Sequence, residues 1–212
     1  MAKVGLNNFR YSKLLSETSE GVPSYDGPKK PAKAISCSVN ITNNQAKLFA
    51  DDGLAESDTS FQSGTVTAGI DDEDQATSAE LLGHEIDEET GAMIRSSYDA
   101  APYVSWGRIV VKMVGGVYKY KVEFLYKVKF AEPSQDDSTK GESLEFSTST
   151  IEGQVSTLNN GRWSETKTFD THAEALAYLE GLTPDSTATV TEPETPSGTE
   201  TVADPETPSG NG

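Results

Sequence analysis

Reactive side chains are scarce in this sequence: 212 residues hold one cysteine, Cys37, and two histidines, His84 and His172. A single cysteine excludes an internal disulfide and suits a reducing compartment. Within the apparent strand 34–39 it reads as a small buried apolar residue rather than a reactive thiol. With so little histidine, general acid–base chemistry lacks its commonest agent near neutral pH. His84 follows Gly83, a helix-stopping glycine, and His172 falls in the first turn of the last helix, so ordinary surface roles suffice for both. The sequence contains no glycine-rich phosphate loop, nucleophile elbow, metal-spaced Cys/His set or HExxH pattern. Carboxylate pairs such as Asp51-Asp52 and Glu88-Glu89 sit in turns, where adjacent acids are ordinarily solvated. The expectation is a protein that is not an enzyme and uses no cofactor and no metal.

Long apolar runs are missing too. Nothing approaches the roughly 20 residues of a membrane-spanning helix, and MAKVGLNNFRYSKLL lacks the apolar stretch of a signal peptide. Synthesis in the cytoplasm without membrane insertion is expected. Basic residues are outnumbered 17 to 34, a net charge of −17. An acidic surface disfavours adhesive binding to nucleic acid, whose affinity rests on Lys and Arg neutralising phosphates. Part of the excess is local: residues 183–212 carry six acids and no base, aromatic, Leu or Ile, and repeat EPETPSG as DPETPSG. Such a stretch cannot bury enough apolar surface to offset its ordering entropy, so it reads as a disordered tail behind a folded domain at 1–182.

What is present is mostly β in pattern. Strand signals cover 34–41, 47–50, 61–70, 103–114, 117–130, 142–150 and 153–158, separated by turn chemistry at Asn43-Asn44, Asp51-Asp52-Gly53 and Asn159-Asn160-Gly161. Two short helices are expected. One spans 77–82 with a Thr77-to-Glu80 capping pattern and a Gly83 stop. The other follows the capping box Thr171-His172-Ala173-Glu174, carries an apolar stripe at Ala173, Leu176, Ala177 and Leu179, and stops at Gly181. Asp71, Asp72, Glu73 and Asp74 precede the first helix at the positive end of its dipole. They lack the alternating spacing, central glycine and closing Glu of a calcium loop.

The clearest feature is GGVYKYKVEFLYKVKF, 115–130, in which every even position from Tyr118 is apolar or aromatic while Lys119, Lys121, Lys127 and Lys129 take odd positions. A two-residue Gly115-Gly116 turn places Val114 opposite Val117, Ile109 opposite Val122, Arg108 opposite Glu123 and Trp106 opposite Leu125, with Lys112 facing Lys119 unfavourably. The even face is then core, and the odd face a lysine stripe in an acidic chain. Trp106 and Trp163 could line a carbohydrate site or a subunit interface.

KVGLNNFRYSKL, KAISCSVNITNNQAKLFADDGLAESDTSF, GTVTAGIDDEDQATSAELLGH and the long run from APYVSWGRIVVKM to TIEGQVSTL resemble the major tail proteins, or tail tube proteins, of long-tailed non-contractile bacteriophages of Gram-positive hosts. The resemblance spans residues 3–182. It implies a β-sandwich or barrel-like subunit flanked by a helix, assembling in the host cytoplasm as hexameric rings that stack into the virion's tail tube. Its implied partners are further copies of itself, the terminator and distal tail proteins, and DNA in non-adhesive passage. A surface- or carbohydrate-binding β-sandwich with a flexible stalk is the competing expectation.

In a tube, cationic walls would grip the phosphates of passing DNA. The lysine stripe is therefore expected to meet acidic segments of its own or neighbouring subunits, with Asp71, Asp72, Glu73 and Asp74 and the loop bearing Asp51, Asp52, Glu56 and Asp58 as leading partners. Residues 45–61 are expected to form an arm ordered against a neighbour.

Overall fold

The computed structural model describes residues 2–50, 53–72, 74–134 and 148–185, with only the backbone considered at 46–50 and 53–58. The elements run β1 (Ala2–Glu17), β2 (Pro23–Tyr25), β3 (Ala34–Ala50), β4 (Gly53–Ile70), α1 (Gln75–Leu82), β5 (Glu85–Ile86), β6 (Met93–Ile94), β7 (Val104–Val114), β8 (Val117–Ala131), β9 (Ser149–Ser156), β10 (Ser164–Phe169) and α2 (His172–Gly181). No helix among the described residues is long and apolar enough to cross a membrane.

The β7–β8 hairpin organises the sheet. Gly115 and Gly116 both take positive φ, +58° and +83°, which the turn requires and which glycine adopts without steric cost. The register follows as expected: Val114 opposite Val117, Ile109 opposite Val122, Arg108 opposite Glu123, Trp106 opposite Leu125. Around this hairpin the strand order is β2-β1-β7-β8-β9-β4-β3, antiparallel at every pairing, with β10 also on β8. β8 forks: Tyr120–Leu125 pair with β10, and Lys127–Ala131 pair with β9. The sheet curls until β3 packs near β1, giving a mainly β, sandwich-like body.

Both faces of β7–β8 are covered. On the concave face Phe9, Val66, Trp106, Leu125, Val128 and Ile151 form one core. There Trp106 lies between Phe9 and Phe130, with ring centroids 4.9 and 5.1 Å away. On the convex face α2 lays Ala175 and Leu179 over Ile109, Val122 and Phe124. Its close approach depends on Gly107, where any β-carbon would overlap Leu179 Cδ1. Fully burying one large apolar side chain is worth about 1.5–3 kcal/mol, so these two layers supply most of the fold's hydrophobic driving force. Glu165 on β10 accepts from the hydroxyls of Tyr126 and Tyr178, tying β8, β10 and α2 together. Those two bonds hold its carboxyl below the usual range, and the one from Tyr178 pushes that hydroxyl up to about 12.

Several expectations are corrected. Asp74, not Thr77, caps α1, its side chain accepting from the Thr77 amide at 3.3 Å. Thr171 does cap α2, but Gly181 lies inside the helix. Asn43-Asn44 forms no turn: β3 runs through it, absorbing the irregularity as a register shift between Thr42 and Asn43. Part of the strand expected at 142–150 falls outside the described residues, as does the tail beyond 185. Just past residue 182, Thr183 is buried and Asp185 bridges to Tyr25. β1 and β10 went unanticipated. Their polar stretches, NNFRYSK and SETKT, carry no clean period-two apolar signal, and only pairing to β7 and β8 makes them strands.

Candidate assembly surfaces

The lysine stripe does not survive folding as one face. Trp106 pairs with Leu125 but Val104 pairs with Val128, so β8 carries one extra residue between them. A one-residue bulge reverses the inward–outward alternation beyond it. Leu125, Val128 and Phe130 consequently share the concave core, and the lysines are divided. Lys119 and Lys121 lie on the concave side with Arg108 and Glu123. Lys127 and Lys129 lie on the convex side. The sequence did hold a signal: Phe124-Leu125-Tyr126 is an apolar triplet that breaks the alternation, and all three residues are buried.

The divided lysines have separate partners within the chain. Lys119 pairs with Asp170 and Lys121 with Glu123. Arg108 also reaches Glu123, its Nε donating at 2.9 Å, while its Nη1 donates to Cys37 Sγ at 2.6 Å. Burial pushes the Glu123 carboxyl up, but the charges and hydrogen bonds of Lys121 and Arg108 outweigh it and hold it below the usual range. Cys37 is half-buried and packs against the concave core as expected, its Sγ also accepting from Arg108, and burial pushes its thiol up despite that charge. This network borders a cavity of about 460 Å³ between β3, β7, β8 and β10. On the convex side Lys127 Nζ lies 2.8 Å from Glu17 Oε2 and, like Lys129, sits over the Tyr103 ring. Burial raises the Glu17 carboxyl, yet hydrogen bonds from Lys127 and the Asn159 amide leave it below its ordinary value.

The expected acidic partners go elsewhere within the chain. Asp71 accepts from the Lys33 amide at 2.8 Å and pairs with its ammonium at 3.3 Å. Asp74 is spent on the α1 cap, and Asp72 is exposed. Asp51, Asp52 and Glu73 lie outside the described residues, and Glu56 and Asp58 are placed only as backbone within β4. Among the described residues, Lys119, Lys121 and Lys127 meet Asp170, Glu123 and Glu17 instead: Asp170 directly follows the β10–β8 pairing, Glu123 lies two positions along the same strand, and Glu17 ends β1.

Two further surfaces stand out. First, β4 pairs with β9 only over Gly64–Ile70, yet β3 and β4 remain paired with each other out to Ala50 and Gly53. The outer part, Asn43–Ala50 against Gly53–Phe61, is a two-stranded ladder about 25 Å long at 3.3 Å per residue. It is anchored where Phe61 stacks on Trp163, with centroids 5.0 Å apart. Residues 45–50 and 53–61 are therefore β-paired rather than a loop. Second, α1 leads into the small β5–β6 hairpin. His84 lies between them, buried rather than at the surface, with Nδ1 2.7 Å from Asp99 Oδ2 and Nε2 facing the Glu132 carboxylate at the end of β8. Among the described residues no cluster of three His, Cys, Asp or Glu is placed to hold a metal ion.

Comparison of the chain with protein-family models and with curated proteins finds no match in either.

Proposed function

We propose that the chain is a structural subunit that polymerises, as stacked rings of identical copies, into the tail tube of a long-tailed bacteriophage, the conduit for DNA ejection. The observation that carries this reading is the β3–β4 arm. Among the described residues β4 has no partner but β3 beyond Gly64, and a two-stranded ladder is marginally stable at best in water. A neighbouring copy lying against the arm supplies the missing surface and covers backbone edges that a solitary protein must protect. The divided lysines fit as well. Three of the four are matched by carboxylates of the same chain, which leaves the stripe on β8 little free charge to grip passing DNA.

The carbohydrate-binding alternative needs an open aromatic platform. Trp106 is 1% exposed, and one face of Trp163 is taken by Phe61, so neither indole offers that platform freely. Electron microscopy of the concentrated, purified chain separates the readings. Rings or tubes are expected; a dispersed monomer at every concentration would refute polymerisation.

A further inference from the structure

The two ends of β8 carry surfaces of opposite charge and similar apolar make-up. At the hairpin end, register places Lys3 beside Lys112 and Lys112 beside Lys119, a row of ammonium groups across β1, β7 and β8. Among the described residues, Lys3 and Lys112 have no carboxylate partner. Directly beyond them the turn exposes Met113, Val114, Val117 and Tyr118, with Val117 57% exposed. Such a tip is unusual on a solitary soluble protein, where contiguous exposed apolar surface marks a contact site.

At the other end of β8, about 40 Å away along the strand at 3.3 Å per residue, sits the β5–β6 hairpin. His84 and Arg95, either side of it, both reach Glu132. It exposes Ile86 and Ile94, and Tyr98 just beyond is 93% exposed. Around them Glu85, Glu88 and Glu89 are exposed and have no ion-pair partner among the described residues. One end is apolar with a basic rim, and the other is apolar with an acidic rim.

We propose that the β7–β8 tip of one copy docks on the β5–β6 hairpin of the next, Lys3 and Lys112 facing Glu85, Glu88 and Glu89 around a shared apolar contact. This deepens the tube reading and rests on it. Two different patches on one chain make a head-to-tail contact that propagates rather than closing as a pair, and opposite charges fix its polarity and register. The chain's net charge of −17 disfavours an anionic lipid surface as the tip's partner, since the rest of the molecule would be repelled.

Reversing each rim tests the contact. The variants are Lys3→Glu/Lys112→Glu and Glu85→Lys/Glu88→Lys/Glu89→Lys in the full chain, read by pelleting of polymers against protein concentration at low salt, with circular dichroism melts as the folding check. The first variant keeps one like-charge neighbour pair and turns Lys112–Lys119 into an opposite-charge pair, so its fold is expected to hold. Each variant alone should need at least tenfold more protein to pellet. A 1:1 mixture of the two should recover assembly, because each reversed end then meets a complementary one. If the wild-type chain forms tubes and folded variants assemble equally well alone, or fail to recover when mixed, the docking contact is wrong and the tube reading stands. If the wild-type chain never assembles, the tube reading itself falls, and this contact with it. Co-pelleting of a dispersed wild-type chain with phosphatidylcholine/phosphatidylserine vesicles, lost in the Lys→Glu variant, would replace the second copy with a lipid surface and overturn the proposal.

Discussion

Lys127 Nζ lies 2.8 Å from Glu17 Oε2, so the convex side of β8 is clasped to the far end of β1 across 110 residues of sequence. The Glu17 side chain is 9% exposed and that of Lys127 18%. Removing the carboxylate leaves an ammonium largely out of water without its partner. Glu17→Gln is expected to cost about 2 kcal/mol, within the range for stranding one member of a shielded charged pair. Glu17→Gln in a Lys127→Met background should cost much less. Urea unfolding of the four chains in this cycle measures the coupling, and additive costs would deny it.

Acid should weaken the fold through the same groups. Glu17, Glu123 and Glu165 all sit below the ordinary carboxylate value of 4.5 in the folded chain. A depressed folded value means the unfolded chain binds protons first as pH falls. Their stabilisation is complete above the unfolded value and drains away as pH drops through it towards the folded ones. The melting temperature is expected to be nearly level from about pH 8 to about pH 5 and to fall below that. Glu165→Gln should flatten that fall, and an unchanged profile would argue against its role.

Gly107→Ala places a methyl group against Leu179 and Phe124, which are 0% and 1% exposed. Overpacking of this kind typically costs about 1–3 kcal/mol. Leu179→Ala opens space at that point, so the double variant should be more stable than the sum of the two single losses predicts. Thermal melts of the three variants decide it.

The arm can be separated from the body. Replacing 45–60 with a short glycine-containing turn leaves Gly64–Ile70 paired to β9 and should give a chain that melts as a folded protein. In electron micrographs that chain should form no tubes. Tubes of normal appearance from the shortened chain would remove the arm from assembly.

Much of this fold is legible where alternation and turn chemistry agree. The glycine pair at 115–116 dictates the β7–β8 register because the backbone angles admit little else, and Thr171 announces the start of α2. Legibility ends where tertiary pairing overrides local pattern. β1 and β10 are polar along much of their length and become strands through ladders with β7 and β8. The partners of Lys127 and Lys119 lie 110 and 51 residues away, a distance no local spacing encodes. The bulge in β8 is the instructive case. A single inserted residue, betrayed only by Phe124-Leu125-Tyr126, decides which lysines share a surface.

The pairing of β1 with β7 also has a consequence in time. The far end of β1 meets β2 and Lys29 soon after it is made, but Ala2 finds Met113 and Arg10 finds Gly107, so the stretch Ala2–Arg10 has no ladder partner until roughly a hundred further residues have been made, about 5–20 s at ordinary translation rates. Throughout that interval Phe9, bound for the core, remains uncovered. Contacts this distant in sequence also slow the search for the native topology, towards the millisecond-to-second range of β-rich domains. Production of this chain should therefore respond to temperature and expression rate, slower synthesis giving a larger soluble fraction.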